Sequence, residues 1–201
     1  MRNDNDDEGL LEGTADAEDV GEIWPHWSEG VPKRLRLKVY DRELRQEYYE
    51  TLELKWRGGN RLSSLRGRSN SLLPSNKYGS EWSGVYRIFL PDTTIDRFCG
   101  KDPTGTLYIG LAGAGVMSRS ILNTRIRSII KKEHHATNAW RYNDEIRKKY
   151  PWDALAVGWA FTRVVLNAKS KNVGPMQAES WLLNCYNDSF GEYPPLNQKA
   201  R

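Results

Sequence analysis

Two short β-rich runs, SGVYRIFLP at residues 83–91 and GTLYIGL at residues 105–111, place the tightest constraint on how this chain folds. Gly and Pro bound them, and a turn-rich connection containing DPTG joins them, as in an antiparallel hairpin. Downstream, SRSILNTRIRSIIKKEHH sets Ile121, Leu122, Ile126, Ile129 and Ile130 at helical spacing. DALAVGWAFT reads as a buried strand, and PMQAESWLLNCY as a helix opened by Pro175 in its first turn. The order β-β-α-β-α predicts an α+β fold: a small three-stranded antiparallel sheet flanked by helices over residues 82–201, ending in the irregular tail FGEYPPLNQKAR.

An N-terminal strand and helix are expected ahead of this core. KRLRLKVY alternates strictly, with Leu35, Leu37 and Val39 on one face of a strand and Arg34, Arg36 and Lys38 on the other. DRELRQEYYETLELKW predicts a helix capped by Asp41, with Leu44, Tyr48 and Leu52 four residues apart. After Trp56, the Gly, Ser and Asn residues up to Ser80 predict loop with at most short helical turns. Residues 1–30 lack apolar periodicity and are expected to be largely disordered, with local docking by Ile23, Trp24 and Trp27. Residues 31–81 are thus expected to form an extension ahead of the core, and the 201 residues hold one well-packed domain with an appendage, too little for two enzymes.

The formal charge of +4 conceals a division along the chain. Residues 1–30 carry ten acids and one base, a net −9, which leaves 29 bases against 16 acids, a net +13, in the remaining 171 residues. A basic body of this kind attracts polyanions, and nucleic acid is the leading partner class. Lys55, Arg57, Arg61, Arg66 and Arg68 form a run with no acid between Glu53 and Glu81, which suits either a binding arm or a solvated linker. A second cluster, HHATNAWRYN, interleaves His, Trp and Tyr with Arg141. No apolar stretch is long enough to cross a membrane, and the acidic start does not resemble a secretory signal. With two isolated cysteines, Cys99 and Cys185, a reducing, cytoplasmic setting is expected.

GLAGAG after a strand invites a nucleotide-binding reading, but the spacing fails. Gly110 and Gly115 are five apart as in a P-loop, yet Val116 and Met117 stand where Lys and Ser/Thr belong. Ser118 occupies the third glycine of a dinucleotide fingerprint, and the hairpin supplies no βαβ crossover. No nucleotide cofactor is expected.

Gly84-Val85-Tyr86 on one strand and Tyr108-Ile109-Gly110 on the next resemble the paired half-motifs of the GIY-YIG nuclease family, with Val85 in place of the usual Ile. An Arg on the following helix, a Glu on a later helix and an Asn in a Pro-rich segment follow in order as Arg125, Glu179 and Asn197. The resemblance covers about residues 82–197 and implies hydrolysis of phosphodiester bonds in duplex DNA, leaving 5′-phosphate and 3′-hydroxyl ends. It implies Glu179 as ligand to Mg²⁺ or Mn²⁺, Tyr86 as general base, Arg125 as stabiliser of phosphoryl charge, Tyr108 as orienting hydroxyl and Asn197 as a hydrogen-bonding support. The family's His one turn after the Arg is Ile129 here. Either His134 or His135 moves in from the helix end, or a tyrosine acts without it.

Helical geometry bears on two of these residues independently of the family. At about 100° per residue, Arg125 falls inside the apolar arc of its helix and Arg127 opposite it. Glu179 shares a face with Leu182, Leu183 and Tyr186. Arg119 and Arg127 remain alternatives to Arg125. A core at the C-terminal end with an extension ahead of it looks most like the family's type II restriction enzymes. A palindromic target then implies a homodimer. A structure-specific or mobile-element nuclease, or a non-catalytic nucleic-acid-binding module on the same scaffold, is the alternative.

Overall fold

The structure is a computed structural model of the chain, and it describes residues 26–41, 45–66, 73, 83–113, 122–162 and 174–197. The tail before His26, including Ile23 and Trp24, lies outside the described residues, as do Arg68 and Arg119.

The strands are β1 (Arg34–Asp41), β2 (Gln46–Glu53), β3 (Arg57–Arg61), β4 (Gly84–Phe89), β5 (Ile95–Arg97), β6 (Gly100–Asp102), β7 (Thr106–Ala112) and β8 (Ala156–Phe161). The helices are α1 (Leu62–Leu65), α2 (Leu122–Ile130), α3 (Asn138–Tyr142), α4 (Asp144–Lys149) and α5 (Pro175–Phe190). The β-β-α-β-α order forms as expected from β4, β7, α2, β8 and α5. The sheet, however, has four strands rather than three, in the order β3-β8-β4-β7 with every pairing antiparallel.

The added strand is β3, from the Gly-rich stretch expected to be loop. Gly58 and Gly59 both have φ of +91°, and the register with β8 shifts between Gly58 and Asn60, so the glycines make a bulge inside a strand. The Trp159 ring lies across Gly58: a Cβ there would sit 2.7 Å from Trp159 Cε3. Through β3 the N-terminal extension thus contributes to the core sheet.

The helix expected from Asp41 is instead the second half of a hairpin, with β1 pairing β2 from Arg34↔Glu53 to Asp41↔Gln46. A four-residue spacing is also a multiple of the two-residue strand period, so Tyr48 and Leu52 suit one strand face equally well, and Leu44 lies outside the described residues. The adjacent Tyr48, Tyr49 and Thr51 favour that alternative, and β1 gains a partner for its backbone.

One sheet face is covered by α2, which buries Leu122, Ile126 and Ile129 against Tyr86, Ile88, Val157 and Trp159. The other is covered by α5, whose Ala178, Leu182, Cys185 and Tyr186 pack with Val85, Ile109 and Ala160. Trp27 belongs to this second layer: fully buried, it stands edge-on to Tyr186 with ring centroids 5.2 Å apart. Thus Trp27, expected to dock locally from the tail, is part of the core, while His26, Ser28 and Glu29 beside it are exposed.

A buried polar cluster fastens this layer to the connection between β4 and β7. Asp102 accepts hydrogen bonds from Thr104 N (2.8 Å), Thr106 N (2.9 Å) and the Tyr186 hydroxyl (2.9 Å), and it faces Arg97 at 3.8 Å. The Arg97 and Asp102 side chains are 4% and 0% exposed. Trp27 Nε1 donates to Thr104 Oγ1 at 2.9 Å, so the same cluster holds the N-terminal segment. Burial pulls the Arg87 guanidinium down to about 10, against the opposing pull of Asp102. Removing one partner of a buried ion pair leaves the other uncompensated. Asp102→Ala should therefore lower stability by about 3–5 kcal/mol, read from urea unfolding midpoints. Wild-type stability in this variant would show that the pair is dispensable.

Candidate functional site

The site begins with register. β4 and β7 pair so that Tyr86 faces Gly110 and Ile88 faces Tyr108. Directly paired residues share a face, which puts both tyrosines on the α2 side one diagonal apart, with ring centroids at 6.0 Å. Gly110 makes this possible. A Cβ there would lie 2.6 Å from both the Tyr86 hydroxyl oxygen and Tyr108 Cε1. Gly84 has a comparable role on β4, where a Cβ would meet Leu122 Cδ1 at 2.6 Å and hold α2 off the sheet. Both motif glycines thus have steric tasks that a search for phosphate-binding loops does not detect.

The second step is a chain reversal. α2 ends at Ile130, short of the expected helix through His135, because Lys132 adopts φ of +60°. Its N–H reaches Ile129 O (2.8 Å) and the Glu133 N–H reaches Ser128 O (2.8 Å), a Schellman closure with Lys in the position that usually holds Gly. The chain then turns back over the tyrosines. Tyr86 Oη lies 3.1 Å from His134 Nε2 and Tyr108 Oη 3.0 Å from His135 Nε2. Ile129, at the family's histidine position, is buried in the core. Both histidines after the helix enter the site in its place.

The two imidazoles differ in their surroundings. They stack with centroids 4.0 Å apart, but His134 is buried whereas His135 is exposed. His134 Nδ1 accepts the Ala136 N–H at 3.1 Å, so in the neutral ring the proton sits on Nε2 and is donated to Tyr86. Burial, then the neighbouring His135 and Arg125, lowers His134 to about 3. Burial and Arg125 lower His135 as well. Burial raises Tyr86 well above the usual tyrosine range, and the adjoining Tyr108 adds to this. Tyr108 is also raised by burial, but here the hydrogen bond with Tyr86 acts the other way and favours its ionised form.

Arg125 acts electrostatically on both tyrosines, both histidines and Glu179, which places it at the centre of the group. Its Nε is buried and makes no hydrogen bond among the described residues. Arg127 lies across the helix, with Nε donating to Asn123 Oδ1 at 2.8 Å beside a groove lined by Leu65, Arg66 and Lys131. Glu179 is half-buried near the start of α5; burial raises its carboxyl and Arg125 opposes that shift. Among the described residues no three His, Cys, Asp or Glu side chains are grouped to hold a metal ion.

Asn197 acts on the backbone. Its Oδ1 accepts the Ile109 N–H at 2.8 Å and its Nδ2 donates to Ile109 O at 2.7 Å. Leu196 N donates to Leu107 O at 2.9 Å. The tail therefore clamps the free edge of β7 on both sides of Tyr108.

Of the expected nucleic-acid contacts, Lys55, Arg57, Arg61, Arg66 and Arg141 are exposed. Arg57 pairs directly with Trp159, which pairs directly with Tyr86, so Arg57 shares the site's face two strands away. Comparison of the chain with protein-family models, curated proteins and solved structures gives no significant match.

Two expectations follow. Gly110→Ala should cost about 1–3 kcal/mol through overpacking and displace the phenol rings from their histidines, visible in thermal unfolding and in the imidazole nitrogen resonances. For His134, a folded-state value of about 3 lies below the 6.5 of an unperturbed histidine, so the unfolded chain binds more protons between those limits. Stability should then fall as pH drops from about 6.5 towards 3, and His134→Gln should flatten that part of the pH–melting curve.

Proposed function

We propose that this chain is a divalent-metal-dependent endonuclease that hydrolyses phosphodiester bonds of duplex DNA through Tyr86, Tyr108, Arg125 and Glu179. The observation that carries the reading is the buried Arg125 Nε without an acceptor, beside two tyrosines that each have a histidine partner. A guanidinium N–H without a partner in a protein interior is costly, and a phosphoryl oxygen satisfies it with a charge-assisted bond. The resemblance to GIY-YIG nucleases supports the same assignment through residues that register and packing bring together.

Each group has a task in phosphodiester hydrolysis. Arg125 neutralises charge that accumulates on the phosphoryl oxygens. The tyrosine pair holds the attacking water and takes up its proton, and each phenol is hydrogen-bonded to one of the two histidines. Asn197 positions Tyr108 by fixing the strand on either side of it. The donor set suits a hard cation held by one carboxylate with water and phosphate oxygens completing its shell, as Mg²⁺ commonly is. Glu179 would hold that ion, whose chemistry there is charge stabilisation at the phosphate and leaving oxygen.

Arg57 on the site's face supports a duplex path that extends away from the scissile phosphate. A homodimer cutting a palindromic sequence as a restriction enzyme is the form we favour, since two-fold symmetry presents one site to each strand.

Purified protein incubated with a sequenced viral duplex and Mg²⁺ should produce discrete ends bearing 5′-phosphate. Glu179→Gln should reduce cutting by at least about a hundredfold while DNA binding in a mobility-shift assay persists. Full activity in that variant would remove Glu179 from the site, and binding without cutting by the wild type would favour a non-catalytic module.

A further inference from the structure

Resting on the nuclease reading above, we propose that the proton of the attacking water leaves through Tyr108 and His135, while Tyr86 and His134 form a fixed pair that positions the phenols. The hydrogen bonds of the two histidines separate these roles. His134 is 3% exposed, and its Nδ1 is occupied by the Ala136 N–H. The tautomer this enforces presents Nε2–H to Tyr86 as a donor, so the ring cannot accept the Tyr86 proton without first losing its own. It has no outlet to solvent.

His135 has the opposite arrangement. Its ring is exposed, its Nε2 meets the Tyr108 hydroxyl at 3.0 Å, and its Nδ1 has no hydrogen-bond partner among the described residues. With the proton on Nδ1, Nε2 accepts from Tyr108. Charged and titratable neighbours agree with this direction. Arg125 on α2 and His134 on the same turn face His135, and neither is an acid that would trap the proton. The resemblance alone assigns the base to Tyr86; the local hydrogen bonds favour Tyr108.

The proton transfers balance. Water passes a proton to Tyr108 Oη as the Tyr108 proton moves to His135 Nε2. The water oxygen forms the new bond to phosphorus, and the bond to the 3′ oxygen breaks. That oxygen keeps the electron pair and takes a proton from solvent. The imidazolium of His135 releases its Nδ1 proton to bulk water, which returns the neutral ring and the phenol.

The test uses the full chain, the sequenced viral duplex and Mg²⁺, with wild type, His134→Ala, His135→Ala, Tyr86→Phe and Tyr108→Phe. His135→Ala should keep the wild-type melting temperature and lose about a hundredfold in single-turnover rate. Free imidazole in the buffer should restore part of that rate, because the site opens to solvent. His134→Ala should lower the melting temperature and gain nothing from imidazole. The pH dependence of the rate should change in His135→Ala, which a merely structural residue would not cause. Wild-type cutting with an unimpaired His135→Ala, or imidazole rescue of His134→Ala alone, overturns the relay and leaves the nuclease reading standing. Failure of the wild type to cut overturns both.

Discussion

Two phenol rings can converge on one face of this sheet only because the residue between them has no side chain. Gly110 faces Tyr86 across the β4–β7 pairing and precedes the strand's departure from the sheet. Any Cβ there would enter the space of both rings. Everything else in the site follows from that vacancy. Once the hydroxyls lie side by side, the returning histidines can bond one each, and Arg125 can reach the group from α2. The tail then holds the edge through Asn197. The glycine of the second motif is therefore a packing requirement, with the strand pairing as its cause.

The sequence revealed those features whose physics is local. Short β-rich runs bounded by Gly and Pro around GVYRIF and LYIGL, and 3.6-residue spacing from Leu122 to Ile130, each identify an element without reference to the rest of the chain. The side-chain direction of Arg125 followed from the same spacing. Features that depend on partners could not be read in this way. Tyr48 and Leu52 suit a helix or a strand, and only pairing with β1 decides. Gly58 and Gly59 signal loop until Trp159 is known to lie across them. The histidines were legible as candidates to enter the site, but not that both would do so, each at its own tyrosine, because the turn that returns them is closed by Lys132 at positive φ. A glycine there would have marked it.

The charge asymmetry has a counterpart in the sheet. Strand spacing is about 4.8 Å, so Arg57 stands about 10 Å from the Tyr86 row on the same face. On the proposed reading, a duplex held at Arg125 brings a flanking phosphate towards Arg57. Arg127 and Lys131, on the far side of α2 with Arg66, lie off that line and border the groove between α1 and α2. One helix therefore divides its bases between two surfaces. On the proposed reaction only the sheet side contributes to catalysis, and the other side adds general polyanion attraction.

Burial also sets the resting charge of the site. It raises Tyr86, Tyr108 and Glu179 and lowers His134 and His135, favouring the neutral form of all five. Arg125, whose charge moderates the tyrosines and Glu179, further disfavours a second positive charge on the histidines. On the proposed reaction, an incoming phosphate reverses the last of these effects, because a negative group beside Arg125 offsets its repulsion of an imidazolium. His135 then becomes a better proton acceptor when substrate is present than when it is absent. His134, with Nδ1 held by Ala136, gains less because accepting a proton there breaks the bond that orients it. On the proposed reaction, the electrostatics that disfavour charge on these five groups thus leave one histidine able to take up a proton once a phosphodiester lies beside Arg125.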